Sequence, residues 1–428
     1  MYNLEDKEIQ NLMEKEYERQ QNELEMIASE NYVSKQVMKA YANVFTNKYS
    51  EGYPGRRYYG GQEYVDQMEN LACERALRIF WLDEEDWHVN VQPLSWAPAN
   101  LAVFLWLLNP WETILGMDLS SWGHLTHGHP LNASGVYYNI VSYWVRKEDG
   151  LIDYDDVLKK AIEYKPSLIL AWFSAYPRKI SWEKFANIAD EVEKKHWYRP
   201  FLMADIAHVA WLIAGGVYSS PFPYFDVVTT TTHKTLRWPR GGLIYCKQDL
   251  KKQIDKWVFP WVQWWPHEHV IAAKAVAFGE VLNENFSGYA RQVVDNAQTL
   301  AEWLKQRGWN VVTKGTDNHI VLLDITSNNG VDTNIGWKLA EQTLESIWIS
   351  LNKNMLPFDT RKPMDPSGLR LWTSAVTTRG LWKTQMEELS DIIDMSLKNT
   401  DNLEVLEDMK KRVYEICKNY PIYNKNNK

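Results

Sequence analysis

Cysteine, glycine and long apolar runs are scarce in this sequence. Its 428 residues include 3 cysteines and 21 glycines, so the glycine share lies below the usual value of roughly 7%. The cysteines, Cys73, Cys246 and Cys417, are odd in number and lack metal-ligand spacing. This pattern argues against a disulfide framework, and we predict no metal site. We interpret the three residues as free thiols in a reducing cytosol and predict a cytoplasmic protein.

The N-terminal segment is polar, and its sequence argues against membrane targeting. It is too polar for a signal peptide and has no uncharged run long enough to span a bilayer. Leu4, Ile9, Leu12 and Met13 follow helical spacing and predict an amphipathic helix. Lysine and arginine total 47 against 55 aspartate and glutamate, a net charge of −8. This balance argues against nucleic acid or an anionic membrane as a partner.

Short apolar runs alternate with charged periodic stretches in the middle of the chain. The runs are TILGMD (113–118), SLILAW (167–172), FLMADIA (201–207) and FDVVTTTT (225–232). This alternation is typical of an α/β layered domain with a mainly parallel sheet. A long helical pattern over 270–282 then leads into a second region with further apolar runs, VVTKG, IVLLDI and ISLNK.

These patterns predict four parts along the chain. A helical N-terminal arm covers 1–34, and a large α/β domain covers 35–275. A smaller α+β domain covers 276–400. The remaining residues, 401–428, form a polar tail that we expect to fray.

The stretch VVTTTTHKTLRWPRGG (227–242) carries the clearest chemical signal. It places Lys234, flanked by His233, after an apolar strand, where a shielded amine is well placed to form a Schiff base with an aldehyde. The run MADIAHVA brings Asp205 and His208, and an aspartate at the end of a buried strand suits a protonated pyridine nitrogen. Together they suggest a pyridoxal phosphate site. A helix cap for Asp205 and a core histidine for His208 are the alternatives.

Seven segments, in order along the chain, resemble the serine hydroxymethyltransferase family, and the resemblance runs from about residue 22 to about residue 395. They are ELEMIASENYVS (23–34), TNKYSEGYPGRRYYGGQEYVD (46–66), DLSSWGHLTHG (118–128), FSAYPR (173–178), TTTTHKTLRWPRGG (229–242), GTDNHIVLLD (315–324) and PSGLRLWT (366–373). The resemblance implies the fold type I of pyridoxal phosphate-dependent transferases. That fold has a large domain with a mainly parallel sheet and a smaller α+β C-terminal domain.

The resemblance also assigns contacts with pyridoxal phosphate. Ser95 and the backbone of Ala97 match a phosphate cup at a helix N-terminus, where free N–H groups attract an anion. His124 matches the histidine that stacks on the cofactor ring, and Ser174 the hydroxyl near its phenolic oxygen. The complete set implied for the cofactor is Ser95, Ala97, His124, Ser174, Asp205, His208, His233, Lys234 and Trp265.

The family's substrate contacts fall on residues spread over the whole chain. Arg370 offers the forked geometry that the serine carboxylate needs, with Ser29 assisting and Arg240 near the cofactor lysine. The implied substrate set is Ser29, Tyr49, Glu51, Tyr58, Tyr59, Leu119, Gly123, Leu125, Arg240, Asn354 and Arg370. Within it, the positions that match the family's tetrahydrofolate contacts are Leu119, Gly123, Leu125 and Asn354.

Catalytic roles are implied for Lys234, Glu51, Tyr59, His208 and Thr231. A buried glutamate can hold a proton near neutral pH and release it during catalysis, so Glu51 is a candidate proton donor. The alternative is a solvated glutamate in a turn. In the family the segment of Glu51 faces the cofactor of the neighbouring subunit, which implies a homodimer, or a tetramer, with shared active sites.

The implied reaction is the reversible transfer of the hydroxymethyl carbon of L-serine to tetrahydrofolate, which yields glycine and 5,10-methylenetetrahydrofolate. Its partners are small molecules and further copies of the chain, without nucleic acid or membrane. Folate-independent aldol cleavage of β-hydroxy amino acids is a second possibility, because it uses the same cofactor chemistry. The segments of Glu51 and Tyr58 favour the folate reaction. A dimeric scaffold without catalysis is the third reading.

Tryptophan departs from the family pattern: the chain has 22 tryptophans, and thirteen stand where the family has glycine. An indole cannot replace glycine where the backbone needs positive φ or a close approach, so we expect the literal sequence to misfold. The codon UGA is read as glycine in some bacterial lineages and as tryptophan in others, so our hypothesis is that these tryptophans are glycines in the natural protein. The alternative is a genuinely tryptophan-rich protein. The thirteen positions are Trp81, Trp96, Trp111, Trp122, Trp144, Trp172, Trp211, Trp238, Trp261, Trp264, Trp265, Trp348 and Trp372.

Overall fold

The computed structural model describes residues 4–123, 125–234, 236–283 and 286–423. By internal contacts the chain divides into two compact units. The larger unit is Val33–Arg291, and the smaller unit combines Met1–Tyr32 with Gln292–Lys428. The N-terminal segment therefore belongs to the same compact unit as the C-terminal part of the chain.

The larger unit is built on a sheet that has seven strands within the described residues. Their spatial order is Trp87–Asn90, Gly242–Lys247, Val227–Thr231, Phe201–Asp205, Leu168–Ala171, Thr113–Met117 and Asn139–Tyr143. The last five strands of this order pair in parallel. The strand Gly242–Lys247 is antiparallel to both of its neighbours. The predicted α/β fold with a mainly parallel sheet is confirmed.

The central strands are almost entirely buried. Every residue of Val227–Thr231 is buried, and its valines and threonines are β-branched, which favours the extended conformation. Parallel strands of this kind are covered by helices on both faces. The helices of the larger unit are Lys35–Tyr41, Glu63–Arg78, Trp96–Leu107, Ala133–Tyr137, Tyr154–Tyr164, Trp182–His196, Ala210–Ala214, Lys251–Lys256 and Glu268–Asn283.

The smaller unit has an antiparallel sheet. Its strands are Trp309–Val311, Ile320–Asn328, Val331–Asp332, Asn352–Asn354 and Gly368–Trp372. Within the same unit Leu24–Glu25 pairs in parallel with Ile349–Ser350. The helices are Lys7–Asn22, Trp337–Ser346, Ser374–Arg379, Lys383–Lys398 and Leu403–Asn419, and helix Phe286–Gln306 begins in the larger unit and ends in the smaller one.

The C-terminal segment differs from the prediction of a frayed tail. Residues Leu403–Asn419 form a helix that buries Leu406, Met409, Val413 and Ile416 in the core of the smaller unit. These residues recur every three or four positions, so they share one face of the helix. The polar composition of 401–428 hid this apolar stripe, and the expectation of fraying was wrong for 403–419.

The N-terminal helix forms as predicted, at Lys7–Asn22, with Asp6 as its cap. Its apolar residues Ile9, Leu12 and Met13 remain exposed, and Leu4 before the helix is exposed as well. No helix in the described part of the chain is both long and apolar enough to cross a bilayer.

Candidate active site

Lys234 lies in the loop that follows the buried strand Val227–Thr231. The backbone of Thr232 closes this loop, because its N–H donates to the carbonyl of Gly241 and its carbonyl accepts from the N–H of Trp238, both at 3.1 Å. The Lys234 side chain is buried, and its Nζ lies 3.0 Å from Nε2 of His208. Two of the predicted residues are thus in direct contact.

Asp205 ends the strand next to that of Lys234, and its carboxylate is fully engaged. Oδ1 accepts from the backbone N–H of Ala207 at 3.1 Å. Oδ2 accepts from Nδ2 of Asn100 at 2.8 Å and from the indole N–H of Trp96. Nε2 of His127 lies 3.3 Å from the same oxygen. Asp205 is therefore the acceptor at the centre of a buried polar cluster and does not cap a helix.

Asn100 and His127 belong to this cluster but were missed by sequence analysis. Asn100 lies four residues after Trp96 in helix Trp96–Leu107, so both side chains leave the same helix face. The Asn100 Oδ1 also accepts from the hydroxyl of Thr229 at 2.7 Å. Burial lowers the pKa of His127, which favours the neutral imidazole. The i, i+4 spacing and the second histidine of HLTHG were the available signals.

Two indoles fill the space between Asp205 and Lys234. Trp96 donates its ring N–H to Asp205, and Nζ of Lys234 lies 4.3 Å from the centre of the Trp96 ring. The Trp172 ring packs 4.9 Å from that of Trp96 and 5.0 Å from that of His208. An aromatic ring with an N–H group thus lies between a carboxylate and a lysine amine.

Pyridoxal phosphate needs the same polar groups but also the volume that the indoles occupy. Its pyridinium N–H requires a carboxylate such as Asp205, and its aldehyde requires an amine such as Lys234. The donor set therefore suits the cofactor. The volume does not, because Trp96 and Trp172 are 8% and 1% exposed and pack against each other within this space. With tryptophan at both positions, pyridoxal phosphate does not fit.

Other predicted cofactor residues surround this cluster. Ser95 is the N-terminal cap of helix Trp96–Leu107, and Ser95 and Ala97 are both exposed, so this helix end is accessible to an anion. The Thr231 hydroxyl donates to the carbonyl of Ala207 at 3.3 Å. Burial lowers the pKa of His233 to about 3, so this imidazole is neutral at physiological pH.

The segment from Leu119 to Leu125 is only partly described. Leu119 is exposed, and Gly123 packs so closely that a Cβ atom would lie 2.2 Å from the carbonyl oxygen of Met117. Ser174 donates from its hydroxyl to the carbonyls of Trp122 and Gly123, both at 3.2 Å. The predicted His124 and the side chain of Leu125 lie outside the described residues.

A second cluster in the larger unit contains the predicted residues Tyr49, Glu51, Tyr59 and Trp265, together with Trp264. The Glu51 side chain is buried and accepts from the indole N–H of Trp264. The Tyr49 ring lies 4.6 Å from that of Trp265 and 5.9 Å from that of Tyr59. Glu51 is thus not the solvated turn residue of the alternative reading.

Two further predicted residues of the larger unit are mainly exposed. Tyr58 is exposed apart from an edge contact with Phe259, whose ring lies 5.7 Å away. Arg240 is exposed, and its backbone N–H donates to the hydroxyl of Tyr41 at 2.8 Å. Exposed side chains of this kind are available to a ligand or to another copy of the chain.

The smaller unit holds Ser29, Asn354 and Arg370. Arg370 lies in strand Gly368–Trp372 opposite Asn352, and Oδ1 of Asn352 accepts from the backbone N–H of Ala28 at 2.6 Å. The turn of Ser29 therefore lies beside the strand pair that carries Arg370. Burial lowers the pKa of Arg370 to about 10, and the guanidinium keeps its charge at neutral pH.

The chain matches the model of a known protein family. The family model described as serine hydroxymethyltransferase matches residues 2–393, which is far more than half of the chain. The chain therefore belongs to the serine hydroxymethyltransferase family, whose members interconvert serine and glycine with pyridoxal phosphate as cofactor and tetrahydrofolate as co-substrate.

Proposed function

We propose that the family's reaction, reversible transfer of the hydroxymethyl carbon of L-serine to tetrahydrofolate, takes place at the site between Asp205 and Lys234. The observation that carries this proposal is the hydrogen bond from an aromatic ring N–H to Asp205 beneath the Lys234 amine. A protonated pyridine ring presents the same donor to the same carboxylate. This likeness supports the proposal that Asp205 binds a flat heterocycle with one N–H group.

The polar groups around the space between Asp205 and Lys234 have separate proposed roles when no indole occupies that space. Asp205, supported by Asn100, would accept the ring N–H and keep that nitrogen protonated. Lys234 would supply the amine that attaches the cofactor, and His208, 3.0 Å away, would position this amine. Ser95 and Ala97 suit the phosphate. His124, Ser174, His233 and Trp265 complete the proposed cofactor contacts.

Substrate groups are proposed for the two units separately. Arg370 and Ser29 in the smaller unit bind the serine carboxylate, since a guanidinium pairs with a carboxylate in bidentate fashion. Asn354 contributes to tetrahydrofolate binding. In the larger unit the proposed substrate contacts are Tyr49, Glu51, Tyr58, Tyr59, Leu119, Gly123, Leu125 and Arg240, and the proposed catalytic groups beside Lys234 are Glu51, Tyr59, His208 and Thr231.

The protein is proposed to act as a cytoplasmic homodimer or tetramer with shared active sites. The cluster of Tyr49, Glu51 and Tyr59 supports this proposal, because it exposes two tyrosines beside a buried carboxylate. Exposed aromatic side chains of this kind are enriched at protein interfaces.

The test uses the protein purified from its native host. Serine-dependent formation of methylenetetrahydrofolate is measured, together with borohydride reduction and mass spectrometry of the peptide that contains Lys234. We expect turnover and a cofactor adduct on Lys234. Cleavage of β-hydroxy amino acids without any folate-dependent turnover would instead support the aldolase reading and contradict the proposal.

A second function is favoured for a polypeptide that keeps tryptophan at 96 and 172. The indoles then occupy the cofactor volume, and the fold serves as a scaffold without catalysis. Absence of bound cofactor and of turnover in the native protein is the expected result for this reading.

A further inference from the structure

Tryptophan is over-represented at strained backbone positions. Among the described residues, thirteen non-glycine residues have positive φ, and five of them are tryptophans, although tryptophan supplies only 22 of 428 residues. For a bulky side chain this region is a genuine outlier, whereas glycine adopts it freely. The five are Trp81, Trp111, Trp122, Trp197 and Trp348, with φ between 56° and 75°.

Most of these tryptophans stand where helices end. Trp197 directly follows helix Trp182–His196, with φ 65°, and its N–H donates to the carbonyl of Glu193. Trp348 follows helix Trp337–Ser346 by one residue and has φ 69°. The residue after a helix that turns left-handed is usually glycine. Trp122 takes the same position after the short helix Leu119–Ser121.

The indoles in the site show a second kind of conflict. Trp96 and Trp172 occupy the volume between Asp205 and Lys234. Nearby, Trp122 is buried, and its indole nitrogen has no hydrogen-bond partner among the described residues. A buried donor without a partner costs about 1–3 kcal/mol.

Other tryptophans are well accommodated and provide a contrast. Trp182 and Trp309 are buried at ordinary φ, and their indoles donate to the carbonyl of Ser219 at 2.9 Å and to Asp394 at 2.7 Å. Both side chains satisfy their polar atom and fill a core. The conflict is therefore specific to certain positions and is not a general property of tryptophan in this chain.

We infer that the functional polypeptide carries glycine at 81, 96, 111, 122, 172, 197 and 348, and tryptophan at 182 and 309. Position 197 lies outside the thirteen positions that resemblance indicated, and backbone conformation alone assigns it. Glycine at 96 and 172 opens the site for pyridoxal phosphate, a part of the inference that rests on the proposed function. Decoding of UGA as glycine in the host would produce this distribution.

The first experiment identifies the residues directly, by mass spectrometry of peptides from the native protein. We expect glycine at the seven positions and tryptophan at 182 and 309. Tryptophan at 96, 172 and 197 would overturn the inference. This measurement does not depend on the folding of any variant.

The second experiment measures cofactor binding by equilibrium dialysis against pyridoxal phosphate. It compares the literal chain with the glycine chain, defined as the chain with Trp→Gly at the thirteen positions and at 197. A control chain that carries Trp182→Gly and Trp309→Gly in addition separates site opening from general loss of tryptophan. We expect stoichiometric binding only to the glycine chain and loss of stability in the control chain.

Three outcomes of these measurements bear on the inference, and the first of them also distinguishes it from the proposed function. Cofactor binding without serine-dependent turnover keeps the inference and contradicts the proposed function. A folded glycine chain, judged by circular dichroism, that binds no pyridoxal phosphate overturns the assignment at 96 and 172. A literal chain that binds the cofactor as tightly as the glycine chain overturns it as well.

Discussion

At the scale of single residues, the chemistry of the site depends on a few buried polar contacts. Asp205 accepts from two side chains and one backbone N–H, and Lys234 contacts His208. Buried polar groups of this kind are costly unless they are paired. Removing a residue that makes such a contact should therefore change activity or stability measurably.

Lys234→Ala in the glycine chain should abolish both the cofactor adduct and measurable serine-dependent turnover. The substitution removes the amine at the open volume, and an alanine cannot form a Schiff base. Borohydride reduction with peptide mass spectrometry and a turnover assay check this result. Lys252→Ala, on an exposed part of helix Lys251–Lys256, is the matched control and should behave as the parent. Normal turnover of Lys234→Ala would contradict the assignment.

Arg370→Ala in the glycine chain should raise the KM for serine roughly 10- to 100-fold, because a charge-assisted pair with the carboxylate is lost. Binding of pyridoxal phosphate should change little. Steady-state kinetics and cofactor titration separate the two effects. Lys353→Ala, on the neighbouring strand and exposed, is the control. Loss of cofactor with an unchanged KM would show that Arg370 has a different role.

Lys274 predicts a dependence of stability on pH. Its Nζ donates to the carbonyls of Val91 and Gly242 at 2.7 and 3.1 Å, and burial lowers its pKa from 10.5 to about 7. Between these values the unfolded chain binds more protons than the folded chain, so the free energy of unfolding should rise with pH. The expected slope is up to about 1.4 kcal/mol per pH unit.

The free energy of unfolding of the glycine chain is measured in urea at several pH values between 7 and 10. Lys274→Met should remove most of the slope, because methionine does not titrate. Lys252→Met should leave it unchanged. A slope that persists in Lys274→Met would assign the effect to other groups.

At the scale of elements, the ends of helices show the clearest conflict between sequence and fold. In the chain with Trp→Gly at the thirteen positions, Trp197→Gly should add about 1 kcal/mol of stability, since a left-handed L-residue costs roughly 1–2 kcal/mol and glycine does not carry that cost. Trp197 is 93% exposed, so little packing is lost. Urea unfolding measures the change.

Trp182→Gly is the matched control at the opposite end of the same helix. It removes a buried indole and its hydrogen bond to Ser219, and we expect a loss of about 3–5 kcal/mol. Opposite signs for the two substitutions would support the distinction between the two kinds of tryptophan. Destabilisation by Trp197→Gly would show that its indole makes a contribution of its own.

At the scale of the whole molecule, shared active sites predict complementation between inactive variants. Lys234→Ala and Glu51→Gln, both in the glycine chain, should each be inactive alone. If Glu51 serves the site of the partner subunit, a mixed dimer contains one intact site. Random assembly at equal amounts should restore about a quarter of the parent activity.

The assay for complementation is coexpression followed by a serine-dependent turnover measurement. The double variant Lys234→Ala/Glu51→Gln, paired with itself, is the control and should stay inactive. No recovery in mixed dimers whose presence is verified by mass spectrometry would place Glu51 and Lys234 in the site of one subunit.

Local patterns in the sequence determined several features without any knowledge of the fold. Alternation of apolar runs and charged stretches indicated the α/β class, because strand and helix periods differ. The threonine run before Lys234 and the apolar run before Asp205 marked both residues as strand-end groups. These inferences succeeded because each depends on a few neighbouring residues.

Only the tertiary structure decided which residues meet at the site. Asn100 and His127 reach Asp205 across 105 and 78 residues of chain (205 − 100 and 205 − 127), and no short pattern encodes such a contact. The left-handed conformation of Trp197 likewise depends on where the preceding helix ends. The Trp96 indole between Asp205 and Lys234 depends on three separate elements meeting at one edge of the sheet. Contacts of this kind follow from packing over the whole unit, whereas strand and helix signals follow from local side-chain chemistry.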